Sequence, residues 1–330
     1  MHDHGSLPAL GWSEFFTTWS LQPGWLLAAV ILAAGYLTLR NAAGAASTVK
    51  SWRVASFLTG LVLMYVVIAS AINGYAMSLA WMHMVLHLTL IMVVPTLLVL
   101  GHPLTVIAET GPRAERAMRS LPVTVLVHPV TGTLLYSVVI IGTHLSGFMD
   151  AMARSTTLMV GEQILYVVSG FLFLTGTIGE EKVRSDLPYL GRIALLVVGM
   201  VPDTIVGIVM LQTERDLYPI YSEARPEWAL DAVTDIQTAG GLMWAAGDGG
   251  MMLLAIGLVI AVVSSPERRV KMTGRFLDGV RTTQLAQESA RGAAVHGADE
   301  GPAEPGSVDP DSDEALDAYN AMLARMNQQH

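Results

Sequence analysis

Residues 80–100 read "AWMHMVLHLTLIMVVPTLLVL". The stretch holds no Asp, Glu, Lys or Arg, and about 20 apolar residues suffice to cross a bilayer core as a helix. Yet it carries two imidazoles, His83 and His87, one helical turn apart. Apolar runs of similar character recur at 24–39, 54–72, 123–142, 158–178, 190–212 and 239–263. The fold class read from this pattern is all-α: a polytopic membrane protein with a seven-transmembrane-helix bundle. Composition agrees. Of 330 residues, 52% are hydrophobic and 14% charged, against about 25% charged in a soluble domain.

Basic residues in short loops set the expected orientation, since Lys and Arg stay on the cytoplasmic side. Segments 1–23 and 73–79 have none, while 40–53 holds Arg40, Lys50 and Arg53, and 101–122 holds Arg113, Arg116 and Arg119. Segment 179–192 holds Lys182, Arg184 and Arg192, and the tail opens with Arg268, Arg269, Lys271 and Arg275. The alternation puts the N-terminus outside and the C-terminus in the cytoplasm. No basic n-region precedes Gly24, so no cleaved signal peptide is expected.

Three regions follow. Residues 1–23 form an extracytoplasmic aromatic segment, with Trp12, Phe15, Phe16 and Trp19 suited to the headgroup level. Residues 24–264 are the transmembrane domain. Residues 265–330 are a cytoplasmic tail whose basic start suits anionic membrane lipid. A disordered acidic linker comes next, then a short amphipathic helix near 312–327. Residues 282–330 hold nine acids against two arginines, a large part of the formal charge of −9. No basic footprint for nucleic acid exists. The absence of cysteine excludes disulfides and thiolate metal sites.

Ionisable groups inside a membrane span are costly and point to function. His83 and His87 lie about 40° apart around one helix, so both project from one face. Two imidazoles a turn apart can share a metal ion. His144 ends helix four, Glu162 and Gln163 open helix five, Asp203 lies mid-way along helix six, and Asp248 lies in helix seven. Met84 adds a thioether, and thioether with imidazole suits Cu(I). His102 and His128 each precede a proline and read as helix-end residues facing one another on the inner side. A retinal protein needs a lysine within its last span, but Lys50, Lys182 and Lys271 all lie outside the spans. Two readings stay beside metal handling: a cation transporter, resting on Asp203 and Asp248, and a haem protein with His87 and His144 as axial ligands. No nucleophile–base pair or phosphate loop is present, so an enzyme is not expected.

Five motifs in order resemble a known family: "HMVLH" (83–87), "PTLLVLGHPL" (95–104), "VHPV" (127–130), "GFLFLTG" (170–176) and "DIQTAGGLMWAAGD" (235–248). The chain resembles the seven-helix CtaG-type cytochrome c oxidase assembly factors of bacteria. That resemblance implies a cell-membrane factor that helps copper reach the catalytic subunit of a haem–copper oxidase. It implies His83 and His87 as ligands, Asp248 at an acidic position, and Asp235 and Gln237 at the loop mouth. The chain departs from the pattern at Glu162, Gln163 and Asp203, where family members generally show histidines. Carboxylates there favour harder cations and protons over Cu(I).

Overall fold

The structure, a computed structural model, describes residues 7–44, 47–181 and 187–264. The tail expected at 265–330 lies outside the described residues, within which all regular secondary structure is helical. The long apolar helices are α1 (Pro23–Ala43), α2 (Ser51–Ala69), α3 (Ala80–Ala108), α4 (Pro129–His144), α5 (Thr156–Thr177), α6 (Tyr189–Leu211) and α7 (Ala232–Val263). Six of these are long and apolar enough to cross a membrane, which fits a multi-pass membrane protein. The exception is α4. Its 16 residues reach about 24 Å at 1.5 Å per residue, short of a hydrocarbon core of about 30 Å.

Helix ends follow local chemistry. The apolar run at 123–142 breaks because Pro129 has no N–H to continue a helix; a short helix Leu121–Leu126 ends first, and Pro129 opens α4 at N1. His128 caps that start, its Nδ1 accepting from Val130 N–H at 3.3 Å. His102 turns elsewhere, to the Arg53 guanidinium. His102 adopts φ +54°, the left-handed region, which interrupts α3 and lets Pro103 restart it. Asp231 caps α7 by accepting from Thr234 N–H at 3.1 Å, so α7 begins seven residues before the apolar run at 239–263.

The window of α3 is the most buried of the six spans, and α3 packs against α2, α5 and α7. Close backbone approach requires glycine at one crossing above others. A methyl at Gly170 of α5 would run into the Ile91 carbonyl oxygen of α3 and stand 3.0 Å from Pro95 Cγ. Ile91 lies in a π-helical turn, Thr89–Val93. A second π-turn, Met243–Asp248, interrupts α7. Such insertions often mark functional sites. Here the first begins two residues after His87 and the second contains Asp248.

Candidate functional site

Helices α3 and α5 meet in a register of three rungs. His83 Nε2 lies 3.8 Å from Glu162 Oε1. One turn further, the His87 and Tyr166 rings have centroids 4.3 Å apart. A turn beyond that, Gly170 closes on Ile91. On each helix the participants sit four residues apart, the spacing that repeats one face. Gly170 therefore draws the two helices together beneath the polar rungs.

The third imidazole comes from α4. The His144 ring centroid is 4.9 Å from that of His87 and 6.5 Å from that of Tyr166. His144 Nδ1 lies 3.0 Å from the Ile140 carbonyl oxygen and 2.9 Å from Thr143 Oγ1. A carbonyl only accepts, so Nδ1 carries the proton in that contact and Nε2 keeps its lone pair. Metal-binding histidines are oriented by this same kind of backbone bond. The Tyr166 hydroxyl bonds Glu162 Oε1 at 2.9 Å and lies 3.3 Å from Thr143 Oγ1.

His83, His87, His144 and Glu162 are each at most 2% exposed. Yet His83 Nε2, both ring nitrogens of His87 and His144 Nε2 have no hydrogen-bond partner. Buried polar atoms are ordinarily satisfied, and an exception calls for a reason. Four such nitrogens lie together in this one cluster.

A roof covers the cluster. The segment after α6 carries a short helix, Pro219–Ala224. The Tyr218 hydroxyl donates to the His144 carbonyl at 2.9 Å, and the Tyr221 ring stands 6.4 Å from that of His83. The backbone N–H of Ile220 donates to Asp150 Oδ1 at 3.3 Å. Burial, aided by the negative charge of Asp150, pushes the Tyr218 phenol above its ordinary range.

The remaining residues singled out from sequence take other partners. Asp203, fully buried, accepts from the Tyr136 hydroxyl at 2.6 Å through Oδ2, and its Oδ1 is unpartnered. Asp248 accepts from the Thr204 hydroxyl at 2.6 Å, and its Oδ1 is likewise unpartnered. These two form a separate polar layer at the α4–α6–α7 contact. Gln163 Nε2 donates to Asn73 Oδ1 at 3.1 Å. Met84 is buried, but one residue from His83 is about 100° around the helix, off the imidazole face.

Asp235, expected at the loop mouth, caps α3. Its Oδ2 accepts from Ala80 N–H at 2.7 Å and its Oδ1 from Trp81 N–H at 3.2 Å. Both oxygens are thereby committed to the α3 terminus. Gln237 Nε2 donates to the Thr213 carbonyl at 2.9 Å, tying α7 to the loop after α6. Among the described residues no group of three or more His, Asp or Glu side chains is arranged to hold a metal ion. The imidazoles offer two-centre contacts, the His87–His144 pair being the closest.

Tyr166, Tyr218 and Tyr221 escaped the sequence reading. Tyr166 could have been found, because it follows Glu162 by four residues, the spacing of the two histidines. The roof tyrosines lie at the start of a single-turn helix, Tyr218 as its N-cap and Tyr221 within it, too short for periodicity to betray a side chain's direction.

Comparison with known proteins places these features in context. Two uncharacterized proteins, from Mycobacterium bovis and Mycobacterium tuberculosis, are each 27% identical over 335 residues. A third, from Mycobacterium leprae, is 24% identical over 328 residues. The alignments cover 95–96% of this chain and 45% of each relative, so the chain spans about half the length of the curated relatives it matches. No solved structure matches. The family model of the cytochrome c oxidase caa3 assembly factor (Caa3_CtaG) matches residues 30–265, which include both layers and every motif of the resemblance, and the chain belongs to that family.

Proposed function

We propose that this protein is a non-catalytic assembly factor of the bacterial cell membrane that handles copper on its way to a haem–copper oxidase subunit. The copper is cargo, held in the outer half of a seven-span bundle with the N-terminus outside and the C-terminus in the cytoplasm. The positive-inside pattern supports that orientation. The family supports the role, since its name describes oxidase assembly.

One observation carries the site: four buried imidazole nitrogens on α3 and α4 with no partner. The donor set fits a soft monovalent ion. Metal–imidazole bonds are about 2.0–2.1 Å, and rings 4.9 Å apart and inclined at 41° suit two donors side by side on one ion. Cu(I), with a closed d shell, accepts the low coordination number that two imidazoles provide. His87 and His144 would hold the ion, with His83 beside them. Tyr166 and Glu162 would fix the rings and offer a hydrogen-bonded carboxyl to balance charge. The same ring separation argues against the haem reading, because a macrocycle sandwiched between two axial nitrogens needs a wider gap.

Copper loading of the purified chain beside a His83→Ala/His87→Ala variant tests the proposal, together with copper content of the oxidase in a deletion strain complemented by each. Copper lost from both protein and oxidase supports it; equal copper in both variants removes the site. A second reading, cation transport, rests on the unpartnered oxygens of Asp203 and Asp248. Copper- or proton-dependent flux in proteoliposomes, abolished by Asp203→Asn but not by the histidine variant, would favour it.

A further inference from the structure

Two consecutive residues of α6 meet two consecutive residues of α7. Asp203 Oδ2 lies 3.5 Å from the place a methyl on Gly247 would take, and the Thr204 hydroxyl donates to Asp248 Oδ2 at 2.6 Å. From α4 the Tyr136 hydroxyl donates to Asp203 Oδ2, also at 2.6 Å. Two carboxyl groups are thereby held side by side. Each uses Oδ2 for a hydroxyl and leaves a buried Oδ1 without a partner. Tyr136 precedes His144 by eight residues on α4, so this layer lies about 12 Å along the helix from the imidazoles.

The layer is rich in negative charge and has nothing to offset it. Hydroxyl–carboxyl bonds shorten to about 2.5–2.7 Å when the acceptor is ionised, and both bonds here fall in that range. No Lys, Arg or His occurs in α6 beyond Arg192 or anywhere in α7. Neither carboxylate joins an ion pair among the described residues. Tyr136 and Thr204 are neutral donors, so they orient the carboxylates without cancelling their charge. Uncompensated charge inside a bilayer is costly and marks ion sites.

We infer that Asp203 and Asp248 bind one hard divalent cation, of the class of Mg²⁺, Mn²⁺ and Ca²⁺, at a site separate from the imidazoles. Two positive charges match two carboxylates, where a monovalent ion would leave one negative charge over. The four donors at hand are all oxygen, which suits these ions and not Cu(I). Ions such as Mg²⁺ are commonly held through only one or two carboxylates. The hydroxyls of Tyr136 and Thr204 occupy both Oδ2 atoms and leave both Oδ1 atoms for the ion. Bound there, it would tie α6 to the π-turn Met243–Asp248 of α7.

Titration of the purified, EDTA-stripped full chain with Mn²⁺, read by electron paramagnetic resonance of the free ion, tests this. The wild type should bind one equivalent more than Asp203→Asn or Asp248→Asn, and Ca²⁺ or Mg²⁺ should displace it. Mn²⁺ should raise the unfolding temperature of the wild type, since a ligand that binds only the folded state stabilises it, and should not raise that of either Asn variant. Tyr136→Phe leaves Asp203 Oδ2 without its donor and should weaken binding about tenfold. His87→Ala/His144→Ala should keep the equivalent, so failure of the copper reading leaves this site standing. Unaltered helical circular dichroism and a monodisperse elution profile confirm that the variants fold. Equal Mn²⁺ in the wild type and folded Asp203→Asn would overturn the assignment. So would loss of the equivalent in the histidine variant alone. So would a carboxylic-acid C=O stretch that persists under saturating Mn²⁺ and disappears in Asp203→Asn, because a proton would then sit where the cation should.

Discussion

Gly170→Ala is the smallest change that should disturb the site without touching it. The added methyl would run into the Ile91 carbonyl oxygen and stand 2.8 Å from its carbonyl carbon. Non-bonded carbons settle at about 3.5–4.0 Å, so α3 and α5 must part by about 1 Å at this rung. Backbone faces backbone here, and no side-chain rotation relieves the contact. Overpacking of this kind costs about 1–3 kcal/mol, opposed by up to about 1 kcal/mol gained from the better helix propensity of alanine. The shift reaches the rungs above, loosening the Tyr166 contact with His87 and drawing Glu162 from His83. Gly142→Ala is the control: nothing lies within 4 Å of its added methyl, so only the propensity gain remains. Equilibrium unfolding in mixed SDS micelles reads stability, and competition with a Cu(I) chelator reads affinity. Gly170→Ala should lose about 1–2 kcal/mol of stability and bind Cu(I) more weakly; Gly142→Ala should lose neither. Equal stability and affinity for Gly170→Ala and the wild type would refute the rung geometry.

Asp235→Ala leaves two N–H groups at the buried α3 terminus without an acceptor, and should cost about 2–4 kcal/mol in the same titration; Asp235→Asn keeps one acceptor and should fall between. Tyr218→Phe removes the bond from the roof to the His144 carbonyl, so carbethoxylation of His83 and His144, followed by peptide mass spectrometry, should speed up. An Asp150→Cys/Ile220→Cys disulfide, in a chain with no other cysteine, should slow that reaction until reduced. Burial raises the Glu181 carboxyl from 4.5 to about 7 against the hydrogen bonds from Thr105 and Leu104. Its contribution to stability is therefore fully present below pH 4.5 and lost as pH rises through about 7. Glu181→Gln should flatten that part of the stability profile, and an unchanged slope would contradict the assignment.

Hydropathy made most of the spans legible, because nothing but a helix satisfies its own backbone in lipid. The run at 190–212 corresponds to Tyr189–Leu211 and that at 158–178 to Thr156–Thr177. Boundaries shifted where backbone chemistry outweighed hydropathy: Pro129 shortened α4, Pro103 restarted α3 after the left-handed break at His102 so that it reaches Ala108, and the Asp231 cap extended α7. In the site, His83, His87, His144 and Glu162 were legible because buried ionisable groups stand out in an apolar run. The role of Asp235 was not, since a cap across 155 positions of sequence depends on where α7 meets α3. Glycine at 170 reads as ordinary helix packing until the Ile91 carbonyl is seen against it. The separation of Asp203 and Asp248 from the imidazoles follows from their hydroxyl partners, Tyr136 and Thr204, which carry no signal in an apolar run.

We propose that the partnerless imidazoles of α3 and α4 hold copper. X-ray absorption at the copper edge of the Cu(I)-loaded, purified protein tests it most directly. Two imidazole nitrogens at about 2.0 Å should form the first shell, with the outer-shell scattering of imidazole rings, and that signal should be lost in His87→Ala/His144→Ala. A first shell dominated by sulfur, near about 2.3 Å, or a nitrogen signal surviving in that variant, would contradict it.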